Sequence, residues 1–197
     1  VRRGASRVCR SAATLISSPA VSRIRLFMRA LRACQAPPAR QPGRGSHVGK
    51  GKRSKVPVAT LNLSGRVFMN GAMDDPFALG LKEIERLREE AKVILVDMHG
   101  EASSEKTAIA SYFDGLVSAV VGTHTHVPTC DHRVLPRGTA YCTDLGMTGP
   151  YDSIIGVEKD AVIHRFLTGM PSRLETAKGD PRFAAAVVDV DEQTGRA

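Results

Sequence analysis

The sequence has no tryptophan, no Cys-x-x-Cys pair, no long apolar run and, before Asp74, no acidic residue. Each absence excludes something. Without a stretch of about 18 or more uncharged apolar residues, no membrane-spanning helix is expected. The four cysteines, Cys9, Cys34, Cys130 and Cys142, are scattered. Neither a zinc ribbon nor a dithiol redox motif is therefore indicated, and a reducing compartment is the default. Aromatic residues are few, and Phe27 is the one that falls among the basic residues of positions 1–55. Scarcity of stacking side chains weakens a reading of that segment as a single-strand nucleic-acid platform.

The missing carboxylates divide the chain. Of 28 Lys and Arg, fifteen lie before Asp74, whereas all 20 Asp and Glu lie from Asp74 onward. The net charge of +8 thus blends a basic segment with a mildly acidic body. Residues 1–55 are rich in Arg, Ala, Ser and Pro and show no sustained hydrophobic period. Three readings fit them: an organelle transit peptide, a basic arm for RNA or another polyanion, or out-of-frame translation of GC-rich DNA. The expected organisation is a basic leader outside the fold over 1–55 and a domain over 56–197.

From Val56 the pattern changes. "VPVATLNL" reads as an apolar strand. "DDPFALGLKEIERLREEAK" reads as a helix, with Asp75 as its cap, Pro76 at the first position and Phe77, Leu81, Ile84 and Leu87 as a stripe. "KVILVDMHGE" and "LVSAVVGTHTH" are buried strands that run into polar residues. "GTAYCTDLGMTGP" is a third. Helices are expected over "SSEKTAIASYFDG", stopped near Gly115, and "EKDAVIHRFLTG", stopped at Gly169. "RFAAAVVDVD" is a last strand. Alternation of strand and helix argues an α/β fold. In open α/β sheets, ligands bind beyond the carboxyl ends of the strands. Three strands end there in candidate site residues: Asp97 and His99, then His124 and His126, then Asp144.

"GTHTHVPTC" carries the densest signal. In an extended backbone, residues two apart share a face, so His124 and His126 would point together. With His99 they make a metal centre the leading idea. Neutral imidazole suits zinc, iron, manganese or nickel, which leaves the metal open. Asp97 and Glu101 could orient ligands, or Glu101 could be a solvated loop carboxylate. Asp144 could do the same or cap the "DLGMTG" turn. His132 and His164 read as surface or packing residues. His47 receives no role. Cys130 and Cys142 read as inert thiols.

Taken together, "LNLSGRVFM", "DDPF", "VDMHGEASSEK", "SAVVGTHTHVPT", "LPRGTAYCTDLGMTGPYDSIIG" and "RFLTGMP" resemble the YmdB-type bacterial metallophosphoesterases of the calcineurin-like superfamily. The resemblance runs from about Val56 to the end, and "PGRGS" at Pro42 to Ser46 extends it upstream. It implies a layered α-β-β-α sandwich and a cytoplasmic phosphodiesterase acting on small phosphodiesters, notably 2′,3′-cyclic nucleotides. It implies two divalent cations (iron, manganese, zinc or magnesium) with His99, His124 and His126 among their ligands. Hydrolysis would use a water whose pKa the cations lower.

The resemblance also has gaps. The family supplies a Gly-Asp motif, a Glu-Asn pair and a Gly-Asn-His motif that are not recognisable in residues 1–55. No carboxylate before Asp74 can bridge two metals, and no catalytic histidine is identified. The expectation is a sandwich incomplete at its amino-terminal side, behind a foreign leader, holding two, one or no cations. The alternative is a non-catalytic scaffold that binds RNA or another polyanion through the basic segment.

Overall fold

The computed structural model describes residues 23–29, 45–50, 56–71 and 73–197. Its centre is a six-stranded sheet. In chain order the elements are β1 (Arg23–Arg29), β2 (Ser46–Lys50), β3 (Pro57–Ser64), α1 (Pro76–Arg88), β4 (Val93–His99), α2 (Ser103–Tyr112) and β5 (Ala119–Thr123). There follow β6 (Arg133–Val134), β7 (Ala140–Cys142), β8 (Gly149–Asp152), α3 (Lys159–Thr168), β9 (Gly179–Arg182) and β10 (Ala185–Asp191). The central sheet has the order β2-β3-β4-β5-β7-β6. Strands β3, β4, β5 and β7 run parallel, and β2 and β6 flank them antiparallel. The pairs β1–β10 and β8–β9 form two further antiparallel ribbons.

Local chemistry explains the helix starts and stops. The Asp75 carboxylate accepts the Phe77 N–H at 3.0 Å, and Pro76, which lacks a donor, opens α1. Gly169 closes α3 with φ 69°, a left-handed turn that costs glycine little. Helix α1 buries Gly80, Ile84 and Leu87 against the sheet, while Phe77 and Leu81 pack at its border. Gly80 is small by necessity, since a Cβ there would lie 2.7 Å from Phe113 and 2.9 Å from Leu63. Ile84 and Leu87 are fully buried, each worth roughly 1.5–3 kcal/mol relative to exposure.

One sheet face packs on α1 and α2 through Leu61, Ile94, Val96 and Phe113. The other face packs through Val93, Leu95 and Val121 on Val188 and Val190 of β10. The layers are therefore helices, the six-stranded sheet and the β1–β10 ribbon. Strand β4 lies inside the sheet and is buried along nearly its whole length, which is why it reads as a continuous apolar run.

The structure moves one boundary. A fold beginning at Val56 does not hold for 23–29 and 46–50, because β1 pairs with β10 and β2 pairs with β3. Strand β2 is an edge strand of mixed burial with His47 exposed. Such a strand is held by main-chain hydrogen bonds and gives little hydrophobic pattern. The rest of the expected leader, with Cys9 and Cys34, lies outside the described residues. Among the described residues no helix is long and apolar enough to cross a membrane.

Candidate metal centre

The parallel register aligns Ser64 with His99 and His99 with Thr123, so β3, β4 and β5 end level. His99 is the last residue of β4, and His124 follows the last residue of β5. Their rings meet edge to face, with centroids 4.8 Å apart and an interplanar angle of 90°. The Nε2 atom of His99 lies 3.1 Å from Nδ1 of His124.

Each of the three histidines has one ring nitrogen committed to a protein acceptor. The Thr123 hydroxyl donates to Asp97 Oδ1 at 2.6 Å, and its oxygen then accepts the His99 Nδ1–H at 3.1 Å. His124 Nε2 lies 3.1 Å from the Glu101 carboxylate, which takes the N–H there. The carbonyl of Ile155 accepts the His126 Nδ1–H at 2.8 Å. Such bonds fix tautomers, and a donating nitrogen leaves the opposite one as a lone pair. The lone pairs are Nε2 of His99, Nδ1 of His124 and Nε2 of His126. The first two lie at hydrogen-bond distance, 3.1 Å, so a proton joins the rings when one of them is charged and a cation can take its place. Both can reach a common cation at roughly 2.0–2.1 Å. The pair therefore offers a divalent metal two nitrogen ligands.

His126 stands apart. Among the described residues, no three His, Cys, Asp or Glu side chains are grouped closely enough to hold a metal. Extended-strand alternation fails here as well. β5 ends at Thr123, and His124 and His126 have φ of 111° and 68°. Left-handed backbone at non-glycine residues costs on the order of 1–3 kcal/mol each and persists where the surroundings impose it. It turns one ring toward His99 and the other toward Ile155.

Electrostatics favour neutral His99. Burial lowers its pKa, and His124 and Lys106 lower it further; the neutral ring is the ligating form. Asp97 is pushed up to about 6, chiefly by burial, while the Thr123 hydroxyl and the Asn62 side chain pull it back in part. Its Oδ2 atom and both polar side-chain atoms of Asn62 are buried without a hydrogen bond of ordinary geometry.

Beneath the histidines lies an ion pair whose lysine the motifs did not single out. Lys106 Nζ bonds Asp144 Oδ2 at 2.8 Å, with side chains 0% and 1% exposed. The same carboxylate accepts the Thr125 N–H at 3.1 Å and the Gly146 N–H at 2.9 Å. Asp144 thus joins its own turn to the His124–His126 loop. One detectable signal was available. Lys106, Ile109, Ala110 and Phe113 fall at helical spacing and are all buried, so this lysine occupies an apolar stripe. The neighbouring Glu105 is also buried and accepts the N–H groups of Arg66 and Val67 after β3.

The remaining candidates stay outside the site. His132 is exposed, and His164 bonds Ser172 on exposed α3. Cys130 is exposed; Cys142 is buried, and burial raises its thiol pKa. A cavity of about 140 Å³ opens between β7 and β10 and reaches Asp144 and Cys142. None of His99, His124 and His126 lines it.

Residues 19–197 match the family described as YmdB-like protein. The chain is 47% identical over 163 residues to a 2′,3′-cyclic-nucleotide 2′-phosphodiesterase of Bacillus subtilis, covering 81% of this chain and 60% of that protein. It is 37% identical to a putative phosphatase/phosphodiesterase of Mycoplasma pneumoniae, covering 77% and 53%. Among solved structures it resembles a hypothetical protein from Thermus thermophilus, with a TM-score of 0.71 and 42% identity over 77% of this chain and 63% of that one. A novel phosphatase from Mycoplasma pneumoniae matches with a TM-score of 0.70 and 34% identity, covering 78% and 54%. The chain spans 53–63% of the length of these relatives. The fold is the calcineurin-like α/β class that the motifs implied.

Proposed function

Because the chain belongs to the YmdB-like protein family, we propose that the carboxyl ends of β4 and β5 carry a metal-assisted phosphodiesterase centre for 2′,3′-cyclic nucleotides. One observation carries this reading: His99 and His124 each spend one ring nitrogen on a protein acceptor and turn the other toward the same point, 3.1 Å apart. The family brings the expectation of divalent-metal dependence, and the Bacillus relative's name supplies the substrate class.

His99 and His124 would be the two ligands this chain offers a divalent cation. When bound, it supplies Lewis acidity toward a phosphoryl oxygen and acidifies a water near neutral pH. The chain's own residues set the stage. Thr123 and Asp97 hold the His99 ring in one tautomer, and Glu101 does the same for His124. In the reaction a water oxygen joins phosphorus, the P–O2′ bond breaks and the 2′ oxygen leaves with a proton. The activity belongs in the cytoplasm, where the free thiols of Cys130 and Cys142 stay reduced.

The test is hydrolysis of 2′,3′-cyclic AMP by the 197-residue chain with Mn²⁺. Nucleoside 3′-monophosphate should form with metal, stop on chelation and be absent in His99→Ala. Failure to turn over with metal bound would leave the second reading, binding of RNA through the basic residues before Asp74. That binding would weaken steeply with salt.

A further inference from the structure

We infer that Lys106 is a positioning residue: through Asp144 it holds the Thr125 amide and so sets the backbone that presents His124 and His126. This deepens the metal-centre reading and rests on it for its consequence, though not for its geometry.

The geometry converges from several directions. Thr125 lies between two residues with left-handed φ, His124 and His126. Its amide donates to Asp144 Oδ2, the oxygen that also receives Lys106. Around that point the two loops are stitched together. Leu145 N–H reaches the Gly122 carbonyl, Thr129 N–H reaches the Asp144 carbonyl and Met147 N–H reaches the His126 carbonyl. The lysine arrives through a slot that only glycine leaves open. A Cβ at Gly122 would lie 1.7 Å from the Thr143 carbonyl oxygen and 2.8 Å from Lys106 Cδ.

A buried ion pair is weak evidence for stability, because apolar replacements of similar volume are often neutral or stabilising. The Lys106–Asp144 pair has a second task that such replacements cannot perform. An apolar residue at position 144 offers no acceptor to Thr125. The carboxylate accepts two backbone amides from two loops, and the ammonium fixes which oxygen faces which amide. Partners that orient metal ligands in this indirect way typically change metal affinity about 10–100-fold when removed.

The experiment compares the wild-type chain with Lys106→Met/Asp144→Leu, which removes both charges together, and with Asp144→Glu. The glutamate keeps the charge pair and displaces the carboxylate by one methylene. Three quantities are read: thermal midpoint, hydrogen exchange of the Thr125 amide without metal, and Co²⁺ affinity by titration. In both variants that fold, Thr125 exchange should speed up at least about 10-fold while Val120 in β5 stays protected. Co²⁺ affinity should fall about 10–100-fold without a matching loss of thermal midpoint. Unchanged Thr125 protection in a folded variant overturns the inference, as does Co²⁺ affinity that simply follows the thermal midpoint. If the wild-type chain binds no Co²⁺, the metal reading fails, while Thr125 exchange still decides the positioning role.

Discussion

Two lysine–aspartate pairs occupy opposite extremes of solvation in this molecule. Lys106–Asp144 links α2 to the turn after β7 with both side chains essentially unexposed. Lys159–Asp152 links α3 to β8 with side chains 49% and 61% exposed. The residue types are the same and their settings differ. The buried carboxylate also takes two backbone amides and ties two loops beneath the histidines. The exposed pair sits in water, where attraction is screened and ordering two long side chains costs entropy. Further along, α3 and the residues after it leave Phe166, Leu167 and Met170 largely exposed. The buried pair ties down the loop that carries His124 and His126, and Ile155, from the segment between Gly149 and Arg182, adds a carbonyl to His126.

The largest effect that would sharpen this contrast is expected from Lys106→Ala. Removing one partner strands the other charge in the interior, at a cost of about 3–5 kcal/mol. Urea unfolding at neutral pH measures it, and a loss below about 1 kcal/mol, the range of exposed pairs, would show that the two pairs are equivalent. Next comes Thr123→Val. It removes the hydroxyl between Asp97 and His99 and leaves Asp97 without its bond to Thr123. A loss of about 1–3 kcal/mol is expected, with Co²⁺ affinity about 10-fold weaker. Retained affinity would show that the His99 tautomer needs no help from Asp97.

A smaller, pH-dependent effect is expected at Asp131. Burial pushes its carboxyl up, but the Thr129 and Thr143 hydroxyls and the Thr143 amide outweigh that and hold it below its ordinary value. A carboxyl depressed in the fold adds stability above its unfolded pKa of about 3.9, and that stability is lost as pH falls through the folded value. Wild type should therefore lose more stability than Asp131→Asn between about pH 6 and pH 3, measured as a shift in urea midpoint. Parallel losses would remove this assignment. The smallest effect belongs to Lys159→Ala, whose urea midpoint should be indistinguishable from wild type. A clear drop would break the comparison itself.

Much of this arrangement was legible in the sequence. The cap at Asp75, the Pro76 start, the stripe of α1 and the apolar run of β4 follow from local rules, and each holds in the structure. The strand-end position of His99 and His124 followed from the α/β pattern. The direction of the two loop histidines did not, because an alternation rule applies to extended backbone and β5 stops at Thr123. Lys106 was hidden by its type. Lysine reads as surface unless its helical spacing is checked against Ile109, Ala110 and Phe113. Strand β2 was hidden by its edge position, and the Ile155 carbonyl by being backbone, which no side-chain pattern reports.

The most direct measurement is the metal content of the chain. The purified 197-residue protein and the double variant His99→Ala/His124→Ala would be dialysed against excess Co²⁺, freed of loose metal and analysed for cobalt per chain. A single cobalt per wild-type chain and none in the variant is the expected result. A wild-type chain that retains no cobalt, or a variant that retains as much as wild type, would contradict a metal centre built on facing lone pairs of His99 and His124.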